Sequence, residues 1–214
     1  MLDAREQMIE QQVRAWEVLD ERVLDVMRRV PRELFVPHGQ RYRAYADAEV
    51  PLPQGQHMLR PSVVGRLLQA LLPQSGEQVL EIGAGSGFVT ACLRAMATRV
   101  RALELFPELA EAARRNLALV GVRDVEVVDA DAMQGDGGAR YDVIALTASL
   151  PVYDARFERM LAPGGRLFVV VGKPPVMDAR LVQRASEDAV TTRSLFETVI
   201  DPLVNAVRPP EFTF

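Results

Sequence analysis

The 214-residue chain has very little cysteine, histidine and lysine. Its one cysteine, Cys92, excludes an intramolecular disulfide and a zinc site built from several cysteines. Two histidines, His38 and His57, are too few for the usual structural metal sites. We therefore expect no bound metal and no metal-dependent chemistry.

Long apolar runs and basic clusters are also missing. The apolar run at residues 167–171 is typical, whereas a membrane-spanning helix needs about 20 residues. The net charge is −4, and the 25 basic residues are distributed among 29 acidic ones, unlike the basic patches of nucleic-acid-binding proteins. The N-terminus, MLDAREQMIEQQ, is charged and has a helical pattern, so it does not resemble a signal peptide. These features predict a soluble, cytoplasmic protein that binds neither nucleic acid nor a membrane.

The composition that remains is typical of a globular protein, with 49% hydrophobic and 25% charged residues. The length indicates one domain with an extension rather than two full domains. We expect residues 1–60 to form an N-terminal extension of helices and loops. This extension should pack on a main domain at residues 61–214, so that the whole chain is a single compact unit.

Hydrophobic periodicity predicts helices first and then alternating strands and helices. Residues 5–30 are predicted to be helical, with a break near residues 19–20 and an end at Pro31. Residues 31–61 contain five prolines and are predicted to form an ordered, extended segment or a loop. From residue 61 onward, helical stretches alternate with apolar strands, which indicates a parallel sheet covered on both faces. Predicted strands lie at residues 78–82, 100–104, 125–128, 141–147, 166–171, 190–200 and 203–207. The last two, joined tightly at residues 201–202, should give the sheet an antiparallel end.

A glycine-rich turn follows the first of the core strands. Residues 79–87 read VLEIGAGSG, with glycines at positions 83, 85 and 87. Glycine lets the backbone turn sharply and approach a ligand closely. The spacing differs from the G-x-G-x-x-G of dinucleotide-binding folds, and Glu81 precedes the first glycine by two residues. A carboxylate there favours an ammonium or another cationic centre over a pyrophosphate. The alternative is a tight strand-to-helix turn that binds no ligand.

Two further acids follow the next strands. Glu104 ends the second core strand, where a carboxylate can accept hydrogen bonds from both hydroxyls of a ribose. Asp131 follows the third strand and is placed to reach an adenine amino group. Asp129 is an alternative to Asp131, because strand alternation does not decide which of them points inward.

Together these motifs resemble a known class of enzymes. VLEIGAGSG, ALEL at residues 102–105, YDVIALTA and LAPGGRLFVVVG are similar to class I S-adenosylmethionine-dependent methyltransferases. The N-terminal EQQVRAWEVLDERVLDVMRRVPRELFVP, followed by AYADAEVPLP, resembles the protein-L-isoaspartate (D-aspartate) O-methyltransferase family. The likeness covers residues 8–172 and extends loosely to VIDPL in the tail.

The resemblance implies a Rossmann-like, doubly wound and mostly parallel seven-stranded sheet with an antiparallel C-terminal strand and an N-terminal helical extension. It also implies S-adenosyl-L-methionine as cofactor, S-adenosyl-L-homocysteine as product, and a protein or peptide substrate that contains an isoaspartyl carboxylate. The chain would be a monomer or a weak homodimer. The residues expected to bind the cofactor are Glu81, Gly83, Ala84, Gly85, Gly87, Glu104, Leu105, Asp131 and Ala132.

The acceptor side departs from the family pattern. The family has P-L-P-I-G-x-G-Q-T-I-S-x-P, whereas residues 51–61 read PLPQGQHMLRP, which places His57 at the threonine and Leu59 at the serine associated with the active site. Asp131 lacks the flanking glycines of the family's G-D-G, and the tail reads TVIDPL in place of V-R-F-V-P-L. A diverged member with another acceptor, a small molecule or a peptide, is therefore an alternative, as is a non-catalytic module that binds the cofactor.

His57 is the candidate catalytic residue. A carboxylate acceptor is already ionised at neutral pH, with a reference pKa near 4, and needs no general base. A hydroxyl or amine acceptor would need one, and His57 is the first candidate. The alternative is a loop histidine that only packs against its neighbours.

Overall fold

The structure is a computed structural model that describes residues 3–97, 99–187 and 189–208. The α-helices α1 to α6 span Ala4–Met8, Glu21–Arg29, Pro61–Leu71, Phe88–Met96, Pro107–Leu119 and Arg156–Arg159. The strands β1 to β9 span Val50–Pro51, His57–Met58, Gln78–Ile82, Arg99–Glu104, Val125–Asp129, Tyr141–Leu150, Leu161–Lys173, Val176–Arg184 and Val190–Thr198. Within the described ranges, no helix has both the length and the apolar character needed to cross a bilayer.

Strands β3 to β9 form one seven-stranded sheet in the order β5-β4-β3-β6-β7-β8-β9. Neighbouring strands from β5 to β7 are parallel, and β8 and β9 are added by antiparallel pairing. Buried apolar clusters lie on both faces of the sheet, as a sheet of parallel strands requires. The predicted α/β class with a doubly wound, mostly parallel sheet is confirmed.

The strand order reverses beside β3. The chain moves outward from β3 through β4 to β5, and then returns to form β6 on the other side of β3. In open sheets of this kind, ligands bind beyond the carboxyl ends of the strands at the point of reversal. The glycine turn that follows β3 lies at this point.

The N-terminal segment is helical, as predicted, but it is not one regular helix. After α1 the chain continues through a π-helical turn at Ile9–Val13 and a 3₁₀ turn at Arg14–Trp16. Glu17 then ends this segment in the left-handed region, with a φ of 61°. The Asp20 side chain caps the first turn of α2, and Pro31 follows its end, as proline geometry requires.

Residues 31–61 are ordered, as predicted, and contain a small hairpin that the pattern did not indicate. Strand β1 pairs with β2 in antiparallel fashion, with Val50 opposite Met58 and Pro51 opposite His57. Each strand has only two residues. A hydrophobic period cannot be recognised in so short a run, which explains why the hairpin was not predicted.

The predicted arrangement of the tail is wrong in part. The strand predicted at residues 190–200 exists as β9, but its partner is β8 rather than residues 203–207. Strand β8 was missed although charged Asp178 and Arg180 alternate with the buried Met177, Ala179 and Leu181, because the core strands were recognised as apolar runs and not by this period of two. Residues 203–207 are not a strand. Instead Pro202 makes an isolated parallel bridge to Ser149 at the end of β6.

The N-terminal extension and the sheet share one hydrophobic core. Val13 and Val18 are fully buried against α3, where Gly65 allows their close approach. The same core includes Val143 and Phe168 from the sheet. We propose on this ground that residues 1–60 and 61–214 fold as one compact unit.

The one cysteine belongs to this core. Cys92 lies in α4 and is fully buried. Burial raises the pKa of its thiol, although the nearby Arg32 guanidinium opposes this shift. A thiol in such surroundings packs as a small apolar group.

The contact at Gly65 leads to a test of the shared core. A Cβ atom at this position would lie 2.8 Å from Val13 Cγ1 and 3.0 Å from Val18 Cγ2. We expect Gly65→Val to lower the free energy of unfolding by about 2–3 kcal/mol, because overpacking forces the neighbours apart. Urea denaturation followed by circular dichroism measures this change.

Gly39→Val is the matched control, since a Cβ atom at Gly39 would meet no other atom within 4 Å. We expect its free energy of unfolding to stay within about 0.5 kcal/mol of the parent value. Equal losses in the two variants would contradict the assignment of the Gly65 effect to packing between the extension and α3.

Candidate functional site

The glycine turn leads from the end of β3 into α4. Gly83, Gly85 and Gly87 all have positive φ, at 93°, 53° and 85°. At Gly83 a Cβ atom would lie 2.7 Å from Thr147 Oγ1, whose hydroxyl donates to the carbonyls of Ile82 and Gly83. Strain and crowding together therefore require glycine at this position. The turn presents bare backbone at the edge of the sheet.

Glu81 lies in β3 immediately before this turn and is fully buried. Its Oε2 accepts a hydrogen bond of 2.5 Å from the Thr90 hydroxyl, whereas its Oε1 is buried with no partner among the described residues. Burial raises the pKa of Glu81 to about 8; the Thr90 hydrogen bond opposes the shift and the Glu104 charge adds to it. Burying a carboxyl oxygen without a hydrogen-bond partner costs free energy, unless a ligand supplies that partner.

Glu104 ends β4, directly beside the turn. Its Oε2 accepts a hydrogen bond of 2.8 Å from the Gly85 N–H, and its Oε1 accepts one of 3.1 Å from the Phe106 N–H. The side chain is buried, with 5% exposure. Each carboxylate oxygen can accept a second hydrogen bond. Glu104 is thus held in place and can still accept two hydroxyl groups.

The structure separates the two candidate aspartates after β5. Asp131 lines the cavity described below; its Oδ1 accepts from the Met133 N–H at 2.9 Å, and its Oδ2 from Asn205 Nδ2 at 3.0 Å. Asp129 instead forms an ion pair with Arg114 on α5 and is absent from the cavity lining. The geometry therefore favours Asp131 as the ligand-facing acid.

These residues surround one cavity at the point where the strand order reverses. It brings together eight of the nine predicted cofactor residues, namely Glu81, Gly83, Ala84, Gly85, Glu104, Leu105, Asp131 and Ala132. Gly87 is not part of the lining. A Cβ atom there would lie 3.3 Å from Ala113 of α5, so Gly87 allows two helices to pack closely.

The hairpin β1–β2 covers one side of the cavity. Leu52, which follows β1, would lie 3.3 Å from a Cβ atom at Gly85. Gln54 in the hairpin loop donates to Glu108 of α5 at 3.2 Å. His57, the predicted catalytic residue, lies in β2 and lines the cavity, as does the buried Leu59.

The tail also lines the cavity and supplies a residue that the sequence analysis missed. Asp201 lines the cavity, and its Oδ2 lies 2.9 Å from His57 Nδ1. The two residues are 144 positions apart in the sequence, so no local pattern could indicate the contact. The departure of TVIDPL from the family pattern is the one signal that pointed to this position.

Arg32 is a second functional candidate that the sequence analysis did not identify. Its guanidinium is buried; it donates to the Ala44 carbonyl at 3.0 Å and the Leu59 carbonyl at 2.9 Å, and lies 4.8 Å from the centre of the Phe88 ring. Burial lowers its pKa to about 10, so the group is still a cation at neutral pH. Arg32 thereby fixes the loop that contains Leu59 against the wall of the cavity.

The arrangement suits an adenosine-containing ligand with a cationic group. Hydrogen-bond acceptors are supplied by the two oxygens of Glu104, by the unpartnered Oε1 of Glu81 and by the carboxyl group of Asp131. The glycine turn allows a ligand to approach the backbone closely. Across the described residues, there is no cluster of three or more His, Cys, Asp or Glu side chains arranged to bind a metal ion.

Comparison with known proteins gives consistent matches over nearly the whole chain. The family model of protein-L-isoaspartate(D-aspartate) O-methyltransferase matches residues 3–208. A protein-L-isoaspartate O-methyltransferase from Aeropyrum pernix is 42% identical over 207 residues, which cover 94% of this chain and 80% of the relative. Another from Methanoculleus marisnigri is 41% identical over 202 residues, with 94% and 91% covered.

Solved structures share the fold. A Plasmodium falciparum protein described as a protein-L-isoaspartate O-methyltransferase, crystallised with S-adenosyl-L-homocysteine, superposes with a TM-score of 0.78 at 18% identity and covers 93% of this chain and 97% of its own. The family model, the two relatives and the cavity at the strand reversal agree. The chain belongs to the protein-L-isoaspartate(D-aspartate) O-methyltransferase family.

Proposed function

We propose that this chain is an S-adenosylmethionine-dependent methyltransferase that methylates the free carboxylate of isoaspartyl residues in proteins. The main support is the cavity in which Glu81, the glycine turn and Glu104 meet at the strand reversal, in a chain whose family model spans residues 3–208. Relatives about 40% identical have this activity in their names.

The residues of the cavity fit the cofactor. Glu104 would accept both ribose hydroxyls, because its two oxygens are held side by side by backbone N–H groups. Glu81 would receive the ammonium group, since its Oε1 has no other partner among the described residues. Asp131 would accept the adenine amino group, and the glycines at 83 and 85 leave room for the ligand to approach the backbone.

The reaction requires the protein mainly to align the methyl donor and the acceptor. When bound, the cofactor supplies an electrophilic methyl group on a sulfonium, and an acceptor oxygen displaces the thioether in line. The acceptor carboxylate is ionised at neutral pH, so no residue needs to remove a proton. Proximity and orientation can contribute up to about 7–11 kcal/mol to such a reaction. The hairpin and the tail, which both line the cavity, are the elements that would align the acceptor.

A second acceptor class is favoured by one observation. Leu59 is buried, with 7% exposure, and its carbonyl already accepts from Arg32. The apolar Leu59 side chain cannot form a hydrogen bond at the position where the family has a serine, and the Leu59 carbonyl is already occupied. A hydroxyl or amine acceptor, with His57 as general base, is the resulting alternative.

Calorimetric titration with S-adenosyl-L-homocysteine, followed by a methanol-release assay on an isoaspartyl peptide, tests the proposal. We expect binding together with turnover. Binding without turnover would contradict the isoaspartyl acceptor and favour the alternative. Absence of binding would contradict the enzyme assignment and leave a fold that serves another purpose.

The protonation of Glu81 gives a pH-dependent prediction for cofactor binding. Because burial raises the pKa of Glu81 to about 8, its carboxyl group is mainly protonated at neutral pH. An ammonium beside it favours the carboxylate, so binding should release a proton. The affinity for S-adenosyl-L-homocysteine should therefore rise with pH until about pH 8, by at most about tenfold per pH unit.

Titration calorimetry in two buffers of different ionisation enthalpy measures this proton release. Glu81→Gln should bind S-adenosyl-L-homocysteine more weakly, and its affinity should not change with pH in this way. Glu111→Gln, on the exposed surface of α5, is the control and should behave as the parent. The same pH dependence in Glu81→Gln would show that another group loses the proton.

The assignment of His57 to the acceptor side gives another prediction. We expect His57→Ala to slow methyl transfer by about tenfold or more while the affinity for S-adenosyl-L-homocysteine stays within about twofold. Among the described residues the ring is hydrogen-bonded to Asp201 and not to any residue assigned to the cofactor. Kinetics and calorimetry on the same preparation measure both quantities.

His38→Ala is the matched control, since the chain has one other histidine and it is exposed, outside the lining of the cavity. We expect it to leave both quantities unchanged. A large loss of cofactor binding in His57→Ala would instead assign this residue to the cofactor.

A further inference from the structure

The tail is fixed across the cavity by contacts that do not belong to the sheet. The Ser149 N–H donates to the Asp201 carbonyl at 2.7 Å, and the Leu203 N–H donates to the Ser149 carbonyl at 2.7 Å. The Ser149 hydroxyl also lies 3.2 Å from the carbonyls of Ile200 and Asp201. The backbone of residues 200–203 is therefore anchored at the end of β6, independently of the Asp201 side chain.

That side chain connects the tail to the hairpin. Asp201 Oδ2 lies 2.9 Å from His57 Nδ1, and the two side chains are 32% and 34% exposed. An ionised carboxylate can only accept, so Nδ1 has to carry the hydrogen atom of this bond. Nε2 is then the ring nitrogen left for a ligand, and it has no hydrogen-bond partner among the described residues.

The pair lies where a substrate would enter. Both residues line the main cavity, and His57 also lines a second, polar cavity beside it. Arg43 and Arg60 line this second cavity and have no acidic partner in the described part of the chain. The other charged groups around the ring are Asp47 and Glu49 in the second cavity and Arg32, Glu49, Glu81, Glu104 and Asp131 in the main one.

We propose that Asp201 is a positioning residue for the methyl acceptor. It holds His57 by Nδ1, so that the protonated ring donates from Nε2–H to the accepting carboxylate of the peptide. The inference rests on the proposed function and extends it, because the acceptor site is then built from two segments, the hairpin and the tail, joined by one hydrogen bond.

The proposal fixes how peptide binding depends on pH. A protonated ring donates from both nitrogens, whereas a neutral ring that donates to Asp201 from Nδ1 presents a lone pair at Nε2. This lone pair repels a carboxylate. The KM for an isoaspartyl peptide should therefore rise with pH. In His57→Gln this dependence should disappear.

Steady-state kinetics on Asp201 variants test its role. Asp201→Ala should raise the KM for the peptide by about tenfold or more, as expected for a hydrogen bond to a charged group. The KM for S-adenosylmethionine and the dissociation constant of S-adenosyl-L-homocysteine should change by less than about twofold. Asp201→Asn retains an acceptor oxygen for Nδ1–H and should recover most of the loss.

In the double variant His57→Gln/Asp201→Ala, the KM for the peptide should be no higher than in the more impaired of the two single variants. Each substitution removes the same interaction, so the losses should not add. Additive losses would show that the two residues act separately and would overturn the proposal. An unchanged KM for the peptide in Asp201→Ala, with an active parent enzyme, would overturn it as well while leaving the proposed function intact.

Nitrogen-15 NMR of the two histidine rings provides a readout that does not depend on turnover. In the parent, neutral His57 should carry its hydrogen on Nδ1, and Asp201→Ala should shift this balance towards Nε2. An isoaspartyl peptide added together with S-adenosyl-L-homocysteine should perturb the His57 nitrogens and leave those of His38 unchanged. If the peptide perturbs neither ring and the parent enzyme does not turn it over, both the proposed function and this inference fail.

Discussion

The parallel register between β3 and β4 is the constraint on which the site depends. Ile82 lies opposite Leu103, and the Gly83 N–H continues the ladder beyond the strand by donating to the Leu103 carbonyl at 2.8 Å. This bond holds the first residue of the glycine turn beside the end of β4. Glu104 can then receive the Gly85 N–H, so that one strand pairing determines both the path of the turn and the position of the acid. A slip of the register by one residue would turn Glu104 to the other face of the sheet.

The two carboxylates of the cavity are prepared in different ways. Glu104 accepts two backbone N–H bonds, which fix its orientation before any ligand binds. Glu81 is completely buried, which raises its pKa and favours its neutral form, although the hydrogen bond from its one hydroxyl partner opposes this shift. The site therefore combines a fixed acceptor with a carboxyl group whose charge depends on its surroundings. Such a difference between neighbouring acids arises from hydrogen bonding and solvent exclusion, not from the residue type.

The predictions from the sequence succeeded where the structure is determined locally. The strand at residues 78–82, the glycine turn and the acid at 104 are adjacent in the sequence or separated by one helix, so periodicity and residue type were enough. Strand β8 was missed because it is not a continuous apolar run like the parallel strands, and the hairpin was missed because its strands have two residues each. Asp201 could not be assigned a role, since its contact with His57 depends on the path of the tail across β6. The missing information is long-range in each of these last cases.

The burial of Cys92 has a consequence for the conditions in which the molecule can work. Oxidants and alkylating reagents attack the thiolate, and attack requires access to the sulfur. The chain's one thiol is enclosed between α4 and the N-terminal extension, and its raised pKa keeps it protonated. Oxidants that inactivate proteins through exposed cysteines therefore have no exposed thiol to attack in this chain. Its thiol chemistry is therefore insulated from the redox state of the solution in which it acts.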